Sequence, residues 1–323
     1  MSELINKLTN QVLEGQGVNK TEALALWGED LAELTAAADL IRRQRCGQKF
    51  DLCAILNGKS GRCSQDCRYC AQSSHYPTAI QEYPLLATEV ILADAQKRAA
   101  EGIKRYAIVT SGPRLSRREL AKLCQSYREL HSQTGLLLCA SLGLLEYEDF
   151  RLLREAGVSR YHNNLETSRN FFPQICTTHT YAAKIAAIKA AQKAGLTVCS
   201  GGIIGLGETA ADRIDLALTL AELGIKSVPL NILNPIKGTP LENAAPLSYE
   251  EIRRTVAVFR FVLPDAALRL AGGRSQLKDQ GQALWQGGAN AAISGDMLTT
   301  GGIDTASDLK VLTKLGFEVA AYD

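Results

Sequence analysis

Three cysteines close together in the chain, Cys63, Cys67 and Cys70, have a spacing suited to iron–sulfur chemistry. They stand as CxxxCxxC in the segment NGKSGRCSQDCRYCAQSS, which is too polar and too rich in glycine to be core. Three thiolates on one short loop can hold a [4Fe-4S] cluster and leave its fourth iron without a protein ligand. Such an open iron can bind the amino and carboxylate groups of S-adenosylmethionine (SAM), whose reductive cleavage gives a 5′-deoxyadenosyl radical. The spacing therefore predicts a radical-forming site.

Zinc is the alternative occupant of this loop. A structural zinc site needs a fourth Cys or His ligand, and His75 follows Cys70 by five residues. The spacing alone leaves that alternative open. We favour the iron–sulfur cluster because the loop follows the first predicted strand of a barrel, where active-site loops stand.

The elements predicted around the loop alternate between strands and helices. Residues 1–49 carry apolar positions at helical spacing and predict an N-terminal helical cap. Residues 50–323 predict one domain, a parallel (β/α)8 TIM barrel of the α/β class. An open doubly wound sheet is the alternative, but no phosphate-binding GxGxxG turn follows the first strand. The predicted strands are Phe50–Leu56, Arg105–Thr110, Leu136–Ser141, Arg160–Leu165, Thr197–Gly201, Ser227–Leu233, Ala267–Leu270 and Ala291–Ser294.

Length, charge and cysteine content describe an enzyme-sized protein of a reducing compartment. The 323 residues carry a net charge of +2, which gives no reason to expect a nucleic acid or an anionic membrane as partner. The start MSELINKLTNQVLEGQG lacks the features of a secretory signal, so we expect a cytoplasmic protein. There, nine cysteines are better explained as thiols, metal ligands or catalytic groups than as disulfides.

Several unusual strings carry a resemblance to a known family. They are KSGRCSQDCRYCAQSSHY, YHNNLETS, TTHTY, VCSGGIIGLGET, SVPLNIL, KGTPL, RLAGGR and GGANAAISGDMLTT, in order from about residue 40 to residue 315. With them the chain resembles the biotin synthase family of the radical SAM superfamily. The resemblance implies a sulfurtransferase that inserts sulfur between C6 and C9 of dethiobiotin and uses two SAM molecules for each biotin. It also implies a homodimer of TIM barrels.

The family draws its sulfur from an auxiliary cluster inside the barrel, commonly a [2Fe-2S] cluster held by three cysteines and an arginine. By resemblance, Cys139, Cys199 and Arg269 match three of these ligands, but Ala107 stands where the remaining cysteine would fall. Cys53, in the middle of the first predicted strand, offers a replacement. Cys53 and the three matched residues lie on predicted strands one, three, five and seven, and alternate strands supply each interior layer of a barrel. Ala107, on strand two, is predicted to lie outside that layer.

The changed ligand set bears on the type of auxiliary cluster. Three thiolates can hold a cubane with one iron free of cysteine, so we favour a [4Fe-5S]-like cluster over [2Fe-2S]. The alternative for Cys53 is a buried thiol that serves as a small hydrophobic residue.

The resemblance also implies contacts with SAM and substrate. Asn164 would contact the SAM ribose and the ureido ring of dethiobiotin, and Asn231 would be a second ureido partner, since an amide offers both donor and acceptor. Glu166 stands where the family more often has Asp and would accept the ribose hydroxyls. Lys184 stands where an arginine commonly pairs with the SAM carboxylate, and Tyr69 would flank the adenine through its backbone. The alternatives are turn formation or strand-end capping for the two asparagines and a solvated helix face for Lys184.

Several features stay open or have an ordinary explanation. Cys46 and Cys176 match no ligand position, and Cys124 is expected to pack in an amphipathic helix. The glycines of SGGIIGLGET are expected to let the backbone approach SAM, because the segment lacks the ending of a P-loop. The electron donor is expected to be reduced flavodoxin or ferredoxin. Another radical SAM enzyme, such as a maturase of [FeFe]-hydrogenase, and a non-enzymatic iron–sulfur or zinc scaffold are the alternative functions.

Overall fold

A computed structural model describes residues 1–322 of the chain. Its strands are β1 (Lys49–Lys59), β2 (Arg105–Thr110), β3 (Leu137–Ser141), β4 (Val158–His162), β5 (Thr197–Cys199), β6 (Gly202–Ile204), β7 (Ser227–Ile232), β8 (Ala267–Leu270), β9 (Ala291–Ile293) and β10 (Glu318–Val319). Its α-helices are α1 (Glu3–Leu13), α2 (Lys20–Trp27), α3 (Leu31–Cys46), α4 (Thr88–Ala100), α5 (Arg117–Gln133), α6 (Tyr147–Glu155), α7 (Tyr181–Lys193), α8 (Ala210–Glu222), α9 (Tyr249–Val262), α10 (Gln282–Trp285) and α11 (Thr305–Lys314).

The strands close into a barrel. β1 pairs in parallel with β2 on one side and with β9 on the other, so the sheet has no open edge between its first and last staves. β5 and β6 together form the fifth of eight staves, and both pair with β7. The prediction of a (β/α)8 barrel is confirmed, and the open doubly wound alternative is wrong. The short β10 adds to the amino-terminal end of β1.

Local sequence explains where the outer helices begin. α5, α8 and α9 each start with a capping box, in which a Ser or Thr and an acidic residue three positions later satisfy each other's backbone N–H groups. Their buried faces supply the apolar layer between helices and strands, with Leu123, Ile214 and Phe259 fully buried. This layer fixes the strands and therefore the side chains that point into the barrel.

The first three helices pack against the outside of the barrel. α3 lies against α9, and α2 lies against both α8 and α9. Lys20 in α2 forms an ion pair of 2.7 Å with Asp215 in α8, and Arg254 in α9 donates to the carbonyl of Trp27. Among residues 1–322, no helix combines the length and the apolar character needed to cross a membrane.

The fifth stave is broken where the sequence predicted one strand, Thr197–Gly201. β5 ends at Cys199, and pairing resumes with β6 at Gly202. A Cβ on Gly201 would lie 1.9 Å from the carbonyl oxygen of Pro229, and one on Gly202 would lie 2.3 Å from that of Glu166. These two glycines therefore permit the close approach of neighbouring backbone, a structural role that the sequence interpretation did not assign to them.

The fourth strand ends earlier than predicted. β4 covers Val158–His162, not Arg160–Leu165, so Asn164 and Glu166 lie on the loop after it. Glu166 has φ +72°, which a non-glycine residue rarely adopts. Two backbone hydrogen bonds hold it there, one to the carbonyl of Gly201 and one from the N–H of Ile203. The loop is thus tied to the broken fifth stave at the carboxyl end of the barrel.

Candidate active site

A cavity of about 410 Å³ lies inside the barrel, and most of the predicted site residues line it. At the carboxyl end of the barrel, the cavity is lined by segments that follow β1, β2, β7, β8 and β9, as expected for a TIM-barrel active site. Its lining includes Cys53, Cys63, Cys70, Ala107, Cys139, His162, Asn164, Glu166, Cys199, Asn231 and Arg269. Two groups of thiols, one from the loop after β1 and one from the strands, therefore face the same space.

The strand thiols form the inner group. Cys53, Cys139 and Cys199 are 6%, 5% and 8% exposed, and Arg269 is buried beside the same cavity. All three thiols are free. The residues predicted to converge from alternate strands thus border one space. Ala107 borders it as well, although the layer argument placed it outside this set.

A buried ion network surrounds Asp51, two residues before Cys53 on β1. The carboxylate is fully buried and lies 3.2 Å from Arg269, 3.6 Å from Arg105 and 3.7 Å from Arg160. Arg269 also donates to the carbonyls of Asp51 and Ala292, both at 3.0 Å. Burial raises the pKa of Asp51, but the three guanidinium groups outweigh it and hold the pKa below its ordinary value. The inner cavity is therefore a cationic environment.

The three strand thiols differ in how readily they ionise. Burial raises the pKa of Cys53 to about 12. Burial also raises that of Cys139, against the opposing charge of Arg105, which lies 3.9 Å from its Sγ. For Cys199 the hydrogen bond and charge of His162 outweigh burial, and the pKa is about 6. Cys199 is the strand thiol best prepared to be a thiolate before metal binds.

These residues fit an iron–sulfur cluster. Iron ligation needs deprotonated thiols, and a ring of buried guanidinium groups compensates the negative charge that three thiolates would carry. A zinc ion, by contrast, would need its ligand atoms close together. Cys53, Cys139 and Cys199 do not belong to any set of three or more thiol, imidazole or carboxylate ligand atoms that lie within 4.8 Å of one another in residues 1–322. Their arrangement suits a polynuclear centre that spans the cavity.

The CxxxCxxC loop follows β1 and lies at the carboxyl end of the barrel, whereas the inner group of thiols lies on the strands. Cys63 is fixed by backbone hydrogen bonds with Gln72 at 2.9 Å and Ser74 at 2.8 Å. Cys63 and Cys70 line the cavity, whereas Cys67 does not. The Sγ of Cys67 lies instead 3.7 Å from that of Cys176.

Glu166 lies between Lys184 and Tyr69, a residue of this loop. Lys184 is 8% exposed and its Nζ lies 3.8 Å from Oε1 of Glu166, so the alternative of a solvated helix face is wrong. Burial and the Glu166 carboxylate raise the pKa of Tyr69 well above its ordinary value, which keeps the phenol neutral. Oε2 of Glu166 is buried without a hydrogen-bond partner among the described residues. A buried, unpaired carboxylate oxygen beside a cavity fits a hydroxyl-bearing ligand such as the ribose of SAM.

The two asparagines predicted to bind substrate also bind backbone. Oδ1 of Asn164 accepts from the N–H of Gly201 at 3.0 Å. Asn231 donates to the carbonyl of Gly202 at 3.1 Å and accepts from the N–H of Gly272 at 2.9 Å. The strand-end role that the sequence left as an alternative is therefore present, and both side chains still face the cavity.

Sequence reasoning missed several residues of the site. Asp51 and His162 were not predicted, and neither was the contact of Cys176 and His179 with Cys67. A signal was present for Asp51, since a charged residue in the apolar strand FDLCAIL points to a buried partner. Cys46 lies elsewhere, 3.3 Å from Arg260, and Cys124 packs in the hydrophobic core.

Two family models match the chain. The model of the radical SAM superfamily matches residues 59–220, which include the CxxxCxxC loop. The model of the biotin and thiamin synthesis associated domain matches residues 229–318.

Curated relatives match over almost the full length. A biotin synthase of Clostridium botulinum (strain Alaska E43 / Type E3) is 54% identical over 316 residues, which cover 98% of this chain and 99% of the relative. A biotin synthase of Akkermansia muciniphila is also 54% identical, with 98% of each chain covered.

Solved structures show the same fold at low identity. Methylornithine synthase (PylB) superposes with a TM-score of 0.83 at 18% identity and covers 98% of both chains. HydG, a maturase of the [FeFe]-hydrogenase, superposes with a TM-score of 0.83 at 17% identity, covering 98% of this chain and 75% of HydG. At these identities the likeness is one of fold.

Proposed function

The chain belongs to the biotin synthase family of radical SAM enzymes, and we propose that it makes biotin from dethiobiotin inside the barrel cavity. The observation that carries the proposal is the shared cavity. Cys63 and Cys70 border it from the loop, and Cys53, Cys139 and Cys199 border it from the strands. A substrate between the two groups would meet a radical source on one side and a sulfur source on the other.

The residues divide into three tasks. Cys63, Cys67 and Cys70 would hold the [4Fe-4S] cluster, and Cys53, Cys139 and Cys199 would hold the auxiliary cluster with Arg269 beside it. When bound, these groups and SAM supply the radical that removes hydrogen from dethiobiotin and the sulfur that replaces it. Asn164 and Asn231 would orient the ureido ring, and the enclosed cavity would keep the reactive species away from water.

The test of this function is an anaerobic assay of the reconstituted full-length protein. With dithionite and SAM we expect 5′-deoxyadenosine, and with dethiobiotin we expect more of it together with biotin, about two nucleosides for each biotin. Cys63→Ala should form neither product. Nucleoside without biotin would indicate another radical SAM reaction, such as that of a hydrogenase maturase. Neither product from the wild-type protein would indicate a scaffold or carrier.

The ion pair of Lys184 and Glu166 places two charged side chains where they could bind the polar groups of SAM. We propose that Lys184 pairs with the SAM carboxylate and that Glu166 accepts from the ribose hydroxyls. Lys184→Met should then weaken SAM binding by about 10-fold, or ~1.4 kcal/mol, because it removes a nearly dry charge-assisted contact. Equilibrium binding of SAM to the cluster-loaded protein measures this. Lys189→Met is the matched control, since Lys189 is an exposed lysine of the same helix. Equal affinity in both variants would contradict the assignment.

We propose further that the auxiliary cluster is [4Fe-5S]-like. The support is the ligand set, with three strand thiols from alternate staves and no thiol at Ala107. A [2Fe-2S] cluster is the alternative, and about eight irons per chain rather than about six would distinguish them. A homodimer, reduced flavodoxin or ferredoxin as electron donor, and a cytoplasmic location stay predictions.

A further inference from the structure

Cys176 and His179 lie against the CxxxCxxC loop, although neither belongs to its ligand set. They stand in the segment CTTH that follows the short 3₁₀ turn Phe172–Gln174. The Sγ atoms of Cys67 and Cys176 and a ring nitrogen of His179 all lie within 4.8 Å of one another. Among residues 1–322 this is the one such group of three or more thiol, imidazole or carboxylate ligands.

The distances in this group match a single metal ion better than a cluster. With metal–sulfur bonds of about 2.3 Å, two thiolates on one tetrahedral ion lie roughly 3.8 Å apart. The Sγ atoms of Cys67 and Cys176 are 3.7 Å apart, and Sγ of Cys176 is 3.9 Å from Nε2 of His179. The thiolates of a cubane are bound to different irons and so are held farther apart. Cys67 is therefore placed to share one ion with Cys176.

Neighbouring groups hold the ligands in position. The Nδ1 of His179 lies 2.8 Å from Oε1 of Gln65, and its ring packs edge-on against Phe172. In metal sites such a contact is made by the ring nitrogen that does not bind the ion, so Nε2 is the atom of His179 left to bind it. Oδ1 of Asp66 lies 3.2 Å from Sγ of Cys176 and accepts from the backbone N–H groups of Thr177 and Thr178, so it helps to position Cys176.

The group is also accessible enough to load. Cys176 is buried, whereas Cys67 and His179 are half-buried at the surface of the loop. Two thiols and an imidazole select borderline ions such as Fe²⁺ and Zn²⁺ over Mg²⁺ or Ca²⁺. Ion binding would release the thiol protons to solvent.

We propose that Cys67, Cys176 and His179 form a site for one divalent transition-metal ion, Fe²⁺ or Zn²⁺, in the cluster-free protein. Cys67 is then shared, because it must turn from Cys176 toward the cavity to complete the three-cysteine set. Binding of the ion does not depend on the proposed function, whereas competition with the [4Fe-4S] cluster rests on it.

The binding test uses Co²⁺ as a spectroscopic probe of the full-length, cluster-free protein under anaerobic reducing conditions. A Cys63→Ala/Cys70→Ala background isolates Cys67. We expect one equivalent of Co²⁺ with thiolate charge-transfer and tetrahedral ligand-field bands. Adding Cys176→Ser or His179→Ala should weaken binding at least about 100-fold, since each removes a direct ligand.

His75→Ala is the matched control in the same background. His75 is the other histidine near the loop, but its Nε2 contacts the carbonyl of Ser64 at 3.1 Å. The control should bind Co²⁺ with unchanged affinity. Loss of binding in His75→Ala, retention in Cys176→Ser and His179→Ala, or absence of binding altogether would overturn the proposal.

The competition test follows [4Fe-4S] assembly by absorbance in the otherwise wild-type chain. One equivalent of Zn²⁺ should slow assembly, and Cys176→Ser should relieve the inhibition. If Cys176→Ser slows assembly in zinc-free buffer, Fe²⁺ uses the site on the way to the cluster. If neither effect appears, Cys67 is not shared. A chain that binds Co²⁺ but never assembles the cluster would instead count against the proposed function.

Discussion

Replacing Cys53 with alanine is expected to abolish biotin formation while leaving SAM cleavage intact. Cys53 is buried beside the inner cavity, and in the proposed cluster it supplies one of three thiolates. Without it the auxiliary cluster loses a ligand, whereas Cys63, Cys67 and Cys70 are untouched. We expect iron to fall from about eight to about four per chain and biotin to fall at least about 100-fold.

The measurements are iron and sulfide content, 5′-deoxyadenosine and biotin, all on anaerobically reconstituted protein. Cys124→Ala is the control, because Cys124 is also a buried thiol but lies in the outer helix α5. It should retain both clusters and full activity. Fewer than about six irons per chain in the wild-type protein, or normal iron content and activity in Cys53→Ala, would contradict the proposed ligand set.

A second substitution makes this test more informative. Ala107 lines the same cavity, at the position where the family commonly has its fourth ligand. Ala107→Cys in the Cys53→Ala background tests whether a thiol from strand two can replace one from strand one. Recovery of cluster and biotin would show that the cavity accepts either ligand set. Failure would show that only the alternate-strand set fits.

The second large effect is on stability, and it concerns Asp51. Asp51→Asn keeps the size of the side chain but removes the carboxylate charge that lies 3.2 Å from the buried guanidinium group of Arg269. Removing one partner of a buried ion network leaves uncompensated charge and costs about 3–5 kcal/mol. We expect the free energy of unfolding of the cluster-free protein to fall by that amount in urea titrations at neutral pH.

Asp265→Asn is the control for this prediction. Asp265 pairs with Arg45 at 2.8 Å, but both side chains are about one-third exposed. An exposed pair contributes less than about 1 kcal/mol, so this variant should unfold nearly as the wild type does. Equal losses in the two variants would mean that the arginines near Asp51 do not depend on its charge.

The pH dependence gives an independent check. The arginines lower the pKa of Asp51, so its contribution is complete above the ordinary carboxyl pKa and is lost as pH falls through the lowered value. The difference in stability between wild type and Asp51→Asn should therefore be constant between about pH 6 and pH 8. It should shrink in acid as the wild-type carboxylate takes up a proton.

The sequence by itself determined the fold class and the two sets of thiols. The alternation of β-prone and helical segments predicted the barrel because strands and helices have different apolar periods. The spacing of Cys63, Cys67 and Cys70 predicted the cluster loop because three ligands within eight residues must lie close together. Cys53 could be picked out because alternate strands supply each interior layer of a barrel, and Cys53 lies on the first of strands one, three, five and seven.

Only the tertiary structure decided which distant groups meet. The pairing of Asp51 with three arginines depends on the register of β1, β2, β4 and β8, which no local pattern specifies. The break in the fifth stave and the left-handed backbone of Glu166 occur together, because Glu166 exchanges backbone hydrogen bonds with Gly201 and Ile203 on the two sides of the break. Cys67 and Cys176, 109 residues apart in the chain, meet because two loops fold over the same end of the barrel. The apolar periodicity of the sequence describes single helices and strands, whereas contacts between them depend on how the whole barrel closes. That closure places the candidate metal site of Cys67, Cys176 and His179 beside the CxxxCxxC loop.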